Sequence, residues 1–234
     1  MHLSCSRSVQ GYPLNSLLTK DQCSGIESRL FTMLGRLQGQ VAGEYYPFAM
    51  MTDEIRKRLE DENALPGECN RFLLAANACR DWPTGRGVFF NKDLSFLVWL
   101  NKADHVRIIS REDDGDMPSA YGRLVDGLQQ LEEKVSFSKS SRLGFVTFSP
   151  TDLGSALRVS VRLRLPRLAI EPTKLNAAAK KLQLRIRGTE GEQHIIRAGV
   201  LDVCNRRTLG INEIDTVREV VDGVNELIKM EKFS

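Results

Sequence analysis

CRDWPTGRG at residues 79–87 is the stretch that decides how the rest of this chain is interpreted. Residues 86–90 and 95–101 have the composition of two strands, and the turn Asn91-Lys92-Asp93 separates them. The second strand is apolar on both faces, which is typical of a central strand in a sheet. This part of the chain therefore predicts strand, turn and strand inside a larger sheet.

Apolar periodicity predicts further helices and strands on both sides of this stretch. Thr19 and Gln22 have the form of a capping box, and apolar residues follow them at helical spacing. The predicted helices cover residues 20–38, 121–135, 174–182 and 214–228, and the further strands cover residues 105–111, 144–148, 157–165 and 182–187. No repeat or flexible linker divides these elements, so we expect one domain over residues 1–234.

One face of the predicted sheet carries arginines. Residues 157–165 alternate between the apolar set Val159, Val161, Leu163 and Leu165 and the polar set Arg158, Ser160, Arg162 and Arg164. Arg107, Arg158 and Arg187 lie on different strands, and guanidinium groups that converge from several strands suit a triphosphate. An ordinary solvated sheet face is the alternative. The elements together predict an α+β fold with a large, mainly antiparallel sheet flanked by helices.

Composition excludes some classes of function and compartment. The chain has 41% hydrophobic residues and a formal net charge of +3, so it predicts neither wholesale nucleic-acid binding nor membrane attraction. Its five cysteines lack zinc-ligand spacing, which favours free thiols in a reducing compartment, with Cys79 a buried structural thiol. Trp82 and Trp99 are expected in the core. We find no signal peptide or membrane-spanning apolar run, so the cytoplasm is the expected location.

Several motifs together resemble one enzyme family. They are residues 79–87, NKADHVR at 101–107, RGTEGE at 187–192, RSVQGYP at 7–13, NACR at 77–80, PTDLG at 150–154 and DGV at 222–224. These residues are similar to those of the phosphagen (ATP:guanidino) kinases, with arginine kinase the nearest member that they indicate. The resemblance implies the catalytic domain of that family, with a guanidino kinase or glutamine synthetase-like fold built on a large antiparallel sheet.

The resemblance further implies phosphoryl transfer between ATP and a guanidino compound, with arginine as the default substrate. ATP or ADP would be the cofactor, and its Mg²⁺ would be held by the nucleotide phosphates rather than by protein ligands. The implied nucleotide-binding positions are His105, Arg107, Arg158, Val159, Ser160, Val161, Arg162, Arg187, Gly188, Thr189, Glu190, Gly191 and Glu192. Glu192 also matches one of two carboxylates that hold the guanidino group in the family.

Other positions depart from the family pattern. Ala103 replaces the second substrate carboxylate, and Ser149 replaces a reactive cysteine. Alanine cannot accept a hydrogen bond and a hydroxyl is uncharged near neutral pH, so both changes remove negative charge around the guanidino group. On the nucleotide side, a histidine expected near Asn63 is missing, Arg162 replaces another, Glu190 replaces a basic residue, and the chain start cuts into a segment with two further phosphate-binding arginines.

The smaller N-terminal helical domain of the family is expected to be absent, because no counterpart precedes Met1. These departures predict very low or undetectable turnover, and they leave open whether the chain is an enzyme. One alternative is a nucleotide-binding pseudoenzyme that acts as a regulatory or interacting subunit, with a protein partner on the surface that the helical domain would cover. Nucleic-acid binding along residues 158–164 is not expected, since that strip lacks interleaved aromatic residues.

Overall fold

An eight-stranded antiparallel sheet organises the computed structural model, which describes residues 1–67, 69, 71–188 and 199–233. The strands are β1 His2–Arg7, β2 Gly43–Pro47, β3 Gly87–Asn91, β4 Phe96–Leu100, β5 Val106–Arg111, β6 Lys139–Ser140, β7 Gly144–Phe145, β8 Leu157–Arg164, β9 Leu184–Arg187 and β10 Val200–Asn205. The order across the sheet is β2-β3-β4-β5-β1-β8-β10-β9, and β6 pairs with β7 separately. The predicted α+β class with a large antiparallel sheet is confirmed.

Helices flank this sheet on both faces. They are α1 Lys20–Leu34, α2 Asp53–Asp61, α3 Arg71–Ala75, α4 Met117–Glu132, α5 Pro166–Ile170, α6 Pro172–Lys181 and α7 Glu213–Phe233, with short 3₁₀ turns at Asn15–Leu17, Gly39–Val41, Phe48–Met50 and Pro150–Asp152. Ile26 of α1, Leu124 of α4 and Leu227 of α7 are buried in one cluster with Leu3 and Val159 of the sheet. Removal of this apolar surface from water stabilises the sandwich of helices on sheet.

The opposite face is divided into an apolar part and a charged part. Phe90, Leu97 and Ile109 of β3, β4 and β5 pack with Leu59 of α2 in a smaller buried cluster. Beyond that cluster, the same face of β1, β8, β9 and β10, together with Arg107 of β5, carries charged and hydroxyl side chains. The site described below lies on this second part.

The capping box at the start of α1 is confirmed. The Thr19 hydroxyl accepts a hydrogen bond from the Gln22 N–H, and the Gln22 side chain accepts one from the Thr19 N–H. The helix ends at Leu34, earlier than predicted, and the N–H of Gly35 caps the carbonyl of Phe31. Such reciprocal bonds satisfy backbone donors that a helix start leaves unpaired.

The sequence patterns do not predict β1, β2, β10 or α2, and the strand predicted over residues 144–148 is shorter than expected. The observed strand ends at Phe145, and the N–H of Phe148 bonds to the Asp104 side chain at 2.6 Å. Within the described ranges, no helix combines the length and apolar character needed to cross a bilayer.

The expectation of five free thiols is wrong for two cysteines. Cys69 and Cys79 form a disulfide with their Cα atoms 6.1 Å apart, whereas Cys5, Cys23 and Cys204 are free and buried. Cys79 is buried as predicted, but it is not a thiol. After α3 the chain turns back on itself, with the Ala78 N–H bonded to the Leu73 carbonyl, and this reversal brings the two sulfur atoms together.

Loss of this disulfide is expected to lower the free energy of unfolding. In non-reducing buffer, Cys69→Ser should lower it by about 3 kcal/mol, because the link restricts a short loop in the unfolded chain. Urea unfolding measures the difference. Dithiothreitol should destabilise the wild type to the same extent and leave Cys69→Ser unchanged. Five reactive thiols in unreduced, urea-unfolded protein would contradict the assignment.

Candidate functional site

The register of the sheet places several arginines, among them Arg107, Arg158, Arg162 and Arg187, on the face away from the main helices. Residues opposite each other in antiparallel strands share a face. Ser4 lies opposite Arg158, and Asp202 lies opposite both Arg162 and Arg187. Arg158 and Arg162 are four residues apart on β8, so they share that face too. We call the surface formed by Arg107, Arg158, Arg162 and Arg187 with Ser4 and Asp202 the arginine face.

Arg107 is half-buried on β5, at one side of the arginine face. Its Nη2 donates a hydrogen bond to Ser4 Oγ at 2.9 Å. Burial lowers the pKa of Arg107, and the charges of Asp152, Arg158, Asp104 and Arg187 also act on it. These groups are therefore close enough to interact electrostatically with Arg107, and they include guanidinium groups from β8 and β9.

Arg158 is buried and forms an ion pair with Asp152. Its Nη2 donates to Asp152 Oδ1 at 2.6 Å, and both side chains are about one-tenth exposed. Burial by itself lowers the pKa of Arg158, but the charge and hydrogen bond of Asp152, with a smaller contribution from Cys204, outweigh it and raise the pKa. The guanidinium is fully charged at any physiological pH.

Arg162 and Asp202 form a second pair near the edge of the arginine face. Nε and Nη2 of Arg162 donate to the two carboxylate oxygens of Asp202 at 2.8 and 3.1 Å. The hydrogen bond to Asp202 raises the pKa of Arg162. The Arg162 side chain is 61% exposed, so solvent screens this pair more than the pair of Arg158 and Asp152.

Three side chains that were predicted to bind the nucleotide do not lie on the arginine face. Val159 and Val161 pack in the main core, as the alternation of β8 requires. The His105 ring is fully buried, its Nδ1 accepts from the Val9 N–H at 2.9 Å, and its Nε2 lies 3.0 Å from the Pro13 carbonyl. Burial lowers the pKa of His105 to about 4. The neutral ring therefore holds residues 9–13 in place, and it does not reach the arginine face.

The segments with Ala103 and Ser149 are adjacent in the fold. The carboxylate of Asp104 accepts a hydrogen bond from the Phe148 N–H, and this bond joins the two segments. Burial raises the pKa of Asp104 to about 6, although Phe148 and the Ser6 hydroxyl stabilise its charged form. Ala103 and Ser149 are half-buried, and the Ser149 hydroxyl lies 2.9 Å from that of Thr151.

Some predicted site residues lie outside the described residues. These are Thr189, Glu190, Gly191 and Glu192. Gly188 and Ser160 are buried, and Ser160 lies on the arginine face opposite His2.

Near the disulfide, the prediction that Trp82 is a core residue is wrong. Trp82 is 40% exposed, with the Lys102 ammonium 5.5 Å from its ring centroid. Trp99 is partly buried against the smaller cluster and donates a hydrogen bond to the Ala64 carbonyl.

Sequence reasoning missed the acidic members of the site. Asp152 occurs in the quoted PTDLG motif, but its contact with Arg158 depends on the turn Pro150–Asp152. Asp202 is on β10, whose apolar residues Leu201 and Val203 alternate with it and were an available signal. Ser4 alternates in the same way with Leu3 on β1.

Comparisons with known proteins agree on one family. Residues 25–234 match the family model for the ATP:guanido phosphotransferase C-terminal catalytic domain. Arginine kinase Scy s 2 of Scylla serrata is 47% identical over 228 residues, and an arginine kinase of Schistocerca americana is 46% identical over 227. Each alignment covers 97% of this chain, which spans 64% of the length of each relative.

Solved structures give the same result. The duplicated taurocyamine kinase of Schistosoma mansoni with bound transition state analog components matches with a TM-score of 0.95 and 35% identity, over 100% of this chain and 32% of that one. Lombricine kinase matches with a TM-score of 0.93 and 30% identity, over 99% of this chain and 65% of that one.

Proposed function

This chain belongs to the ATP:guanido phosphotransferase family, and from that premise we propose that it binds Mg-ADP and Mg-ATP on the arginine face and transfers phosphoryl groups to a guanidino substrate only slowly. The clustering of Arg107, Arg158 and Arg187 is the observation that carries the proposal. Guanidinium groups offer paired N–H donors that match phosphate oxygens. Arginine is the substrate that we propose by default, since the two relatives described above are named arginine kinases.

The arginine face fits the phosphates of a nucleotide in chemistry and in placement. Arg107 and Arg158 would bind phosphate oxygens from β5 and β8, and Arg187 would do so from β9. Mg²⁺ bound to the nucleotide would help to neutralise the charge of the transferred group. The protein's own contribution is alignment of the phosphate chain and electrostatic stabilisation of the charge that spreads over it.

The residues proposed to surround the guanidino substrate support slow phosphoryl transfer. Glu192 is the proposed remaining carboxylate for the guanidino group. Ala103 has no polar side-chain atom, and the neutral hydroxyl of Ser149 lies beside that of Thr151. Together these two positions offer no negative charge to orient a guanidinium.

A second candidate function follows from Ala103 and Ser149. A chain that binds nucleotide without efficient transfer would serve as a regulatory or interacting subunit with a protein partner. We propose a cytoplasmic location, which three free cysteines support and the disulfide between Cys69 and Cys79 does not. Nucleic acid is left out of the proposal because β8 has no aromatic residue among its arginines.

Calorimetric titration with Mg-ADP tests the nucleotide site. We expect one binding site in the wild type and an affinity about 10- to 100-fold lower in Arg158→Ala, because that variant lacks a charge-assisted hydrogen bond to phosphate. Arg207→Ala is the matched control, since Arg207 is exposed and pairs with Glu219 of α7. Its affinity should be unchanged. If Arg158→Ala binds Mg-ADP as tightly as the wild type and unfolds at the same temperature, the assignment is contradicted.

A further inference from the structure

Asp152 is held firmly against Arg158 by its own turn. The Asp152 N–H bonds to the Ser149 carbonyl at 3.0 Å, and the Thr208 hydroxyl bonds to the Thr151 carbonyl at 3.0 Å. These contacts hold both ends of the peptide unit that joins Thr151 to Asp152. The carboxylate oxygen of Asp152 then meets Arg158 at 2.6 Å, with little access for water.

A carboxylate and a phosphate use the same donors of a guanidinium. Both present oxygen atoms in the plane of the N–H groups, and both form short charge-assisted hydrogen bonds with arginine. Asp152 therefore occupies one donor of Arg158, Nη2, from which a phosphate oxygen could otherwise accept a hydrogen bond. Its charge also reaches Arg107, the half-buried arginine next to it.

We infer that Asp152 is an internal counter-ion that competes with the phosphates of the nucleotide for Arg158 and so limits the affinity of the arginine face. The inference rests on the proposed function and adds a residue that sets how tightly the site binds. A phosphate has to displace the carboxylate or bind beside a like charge. Because both side chains are shielded from water, neither route is well screened.

The pair of Arg162 and Asp202 is a useful contrast. It has the same chemistry and better geometry, with two hydrogen bonds, but its arginine is mostly exposed. Removal of the charge of Asp202 should therefore change affinity less than removal of the charge of Asp152. Comparison of the two pairs therefore distinguishes the effect of a buried counter-ion on nucleotide affinity from the effect of a solvent-screened one on the same surface.

Asp152→Asn tests the inference in the Mg-ADP titration. Asparagine has the same shape and still accepts a hydrogen bond from Arg158, so the variant removes the charge and keeps the turn. We expect about tenfold tighter binding of Mg-ADP, and a similar gain for ADP without Mg²⁺, from the loss of one nearby like charge. Asp202→Asn should give a smaller gain, and Glu219→Gln, which removes a carboxylate from the pair with Arg207, should give none.

Other results would overturn the inference. Weaker binding of both ligands would make Asp152 a residue that positions Arg158 for phosphate. Weaker binding of Mg-ADP alone would mean that its carboxylate contacts Mg²⁺. Unchanged affinity would mean that Asp152 does not compete with phosphate for Arg158. If Asp152→Asn does not fold, Asp152→Ser replaces it, with the same expected direction.

Failure of the proposed function can be distinguished from failure of the inference about Asp152. If neither the wild type nor Asp152→Asn binds ADP with or without Mg²⁺, both the nucleotide site and the inference are wrong. If the wild type binds Mg-ADP and Arg158→Ala binds it more weakly, the site stands. The comparison of the wild type with Asp152→Asn then decides the inference alone.

Discussion

In an assay with ATP, Mg²⁺ and L-arginine, this chain is expected to turn over at less than about 0.01 s⁻¹, against about 1–100 s⁻¹ for typical kinases. Loss of one group that stabilises a transition state typically slows catalysis by about 10²–10³-fold. Ala103 and Ser149 are two such proposed losses, and they are neighbours in the fold through the bond between Asp104 and Phe148. Turnover in the usual range of kinases would contradict this prediction.

The variant Ala103→Glu with Ser149→Cys is expected to raise this turnover by at least about tenfold, because it returns two groups that can carry negative charge to the proposed guanidino site. The backbone that positions both residues is already in place. The matched control is Ala42→Glu with Ser28→Cys, which makes the same changes at exposed positions. It should leave turnover unchanged.

Two further outcomes of this experiment separate the two candidate functions. If turnover rises, addition of Arg158→Ala to the double variant should remove the gain, since the phosphate site would be lost. If turnover does not rise although Mg-ADP binds, the nucleotide-binding subunit without catalysis is favoured. A search for its protein partner would then follow.

The sequence predicted the sheet well where one face of a strand is core and the other is charged. Residues 157–165 alternate strictly, so the placement of Arg158 and Arg162 on one face and Val159 in the core followed directly from the pleat. β2 is short, and its half-exposed residues Gly43–Pro47 lack this alternation. Its strand conformation depends on pairing with β3, which a local pattern does not contain.

Contacts between distant parts of the chain explain the rest. The carboxylate of Asp152 meets Arg158 because Thr208 holds the turn Pro150–Asp152. His105 occurs in a motif that is associated with nucleotide binding, yet its ring nitrogens contact the backbone N–H of Val9 and the backbone carbonyl of Pro13. A motif therefore identified the family, while the partner of each side chain was set by tertiary structure.

Arg86, the second arginine of residues 79–87, has a structural role in the fold. Arg86 is 3% exposed, and burial lowers its pKa. Its guanidinium donates to three backbone carbonyls, those of Asn101 at 2.8 Å, Thr84 at 2.9 Å and Ala78 at 3.1 Å. Arg86 thus joins residues on both sides of Cys79 to Asn101, at the start of the loop that carries Ala103 and Asp104.

Arg86→Ala is expected to lower the free energy of unfolding by about 3–5 kcal/mol, because it leaves buried carbonyls without a donor and opens a cavity. Urea unfolding measures this loss. Arg29→Ala is the matched control, since Arg29 is exposed on α1 and its replacement should cost less than about 0.5 kcal/mol. A loss in Arg86→Ala no larger than in the control would contradict the role assigned to Arg86.

Arg86→Lys separates the charge of this side chain from its geometry. Lysine keeps the positive charge, but a single ammonium cannot reproduce the planar fork that reaches carbonyls on three sides. We therefore expect most of the loss to persist in Arg86→Lys, together with faster hydrogen exchange at the amides of residues 101–107. Full stability in Arg86→Lys would mean that the buried charge alone is sufficient. Unchanged exchange in that loop would mean that Arg86 does not hold the site segment, and that the motif is needed only for local packing.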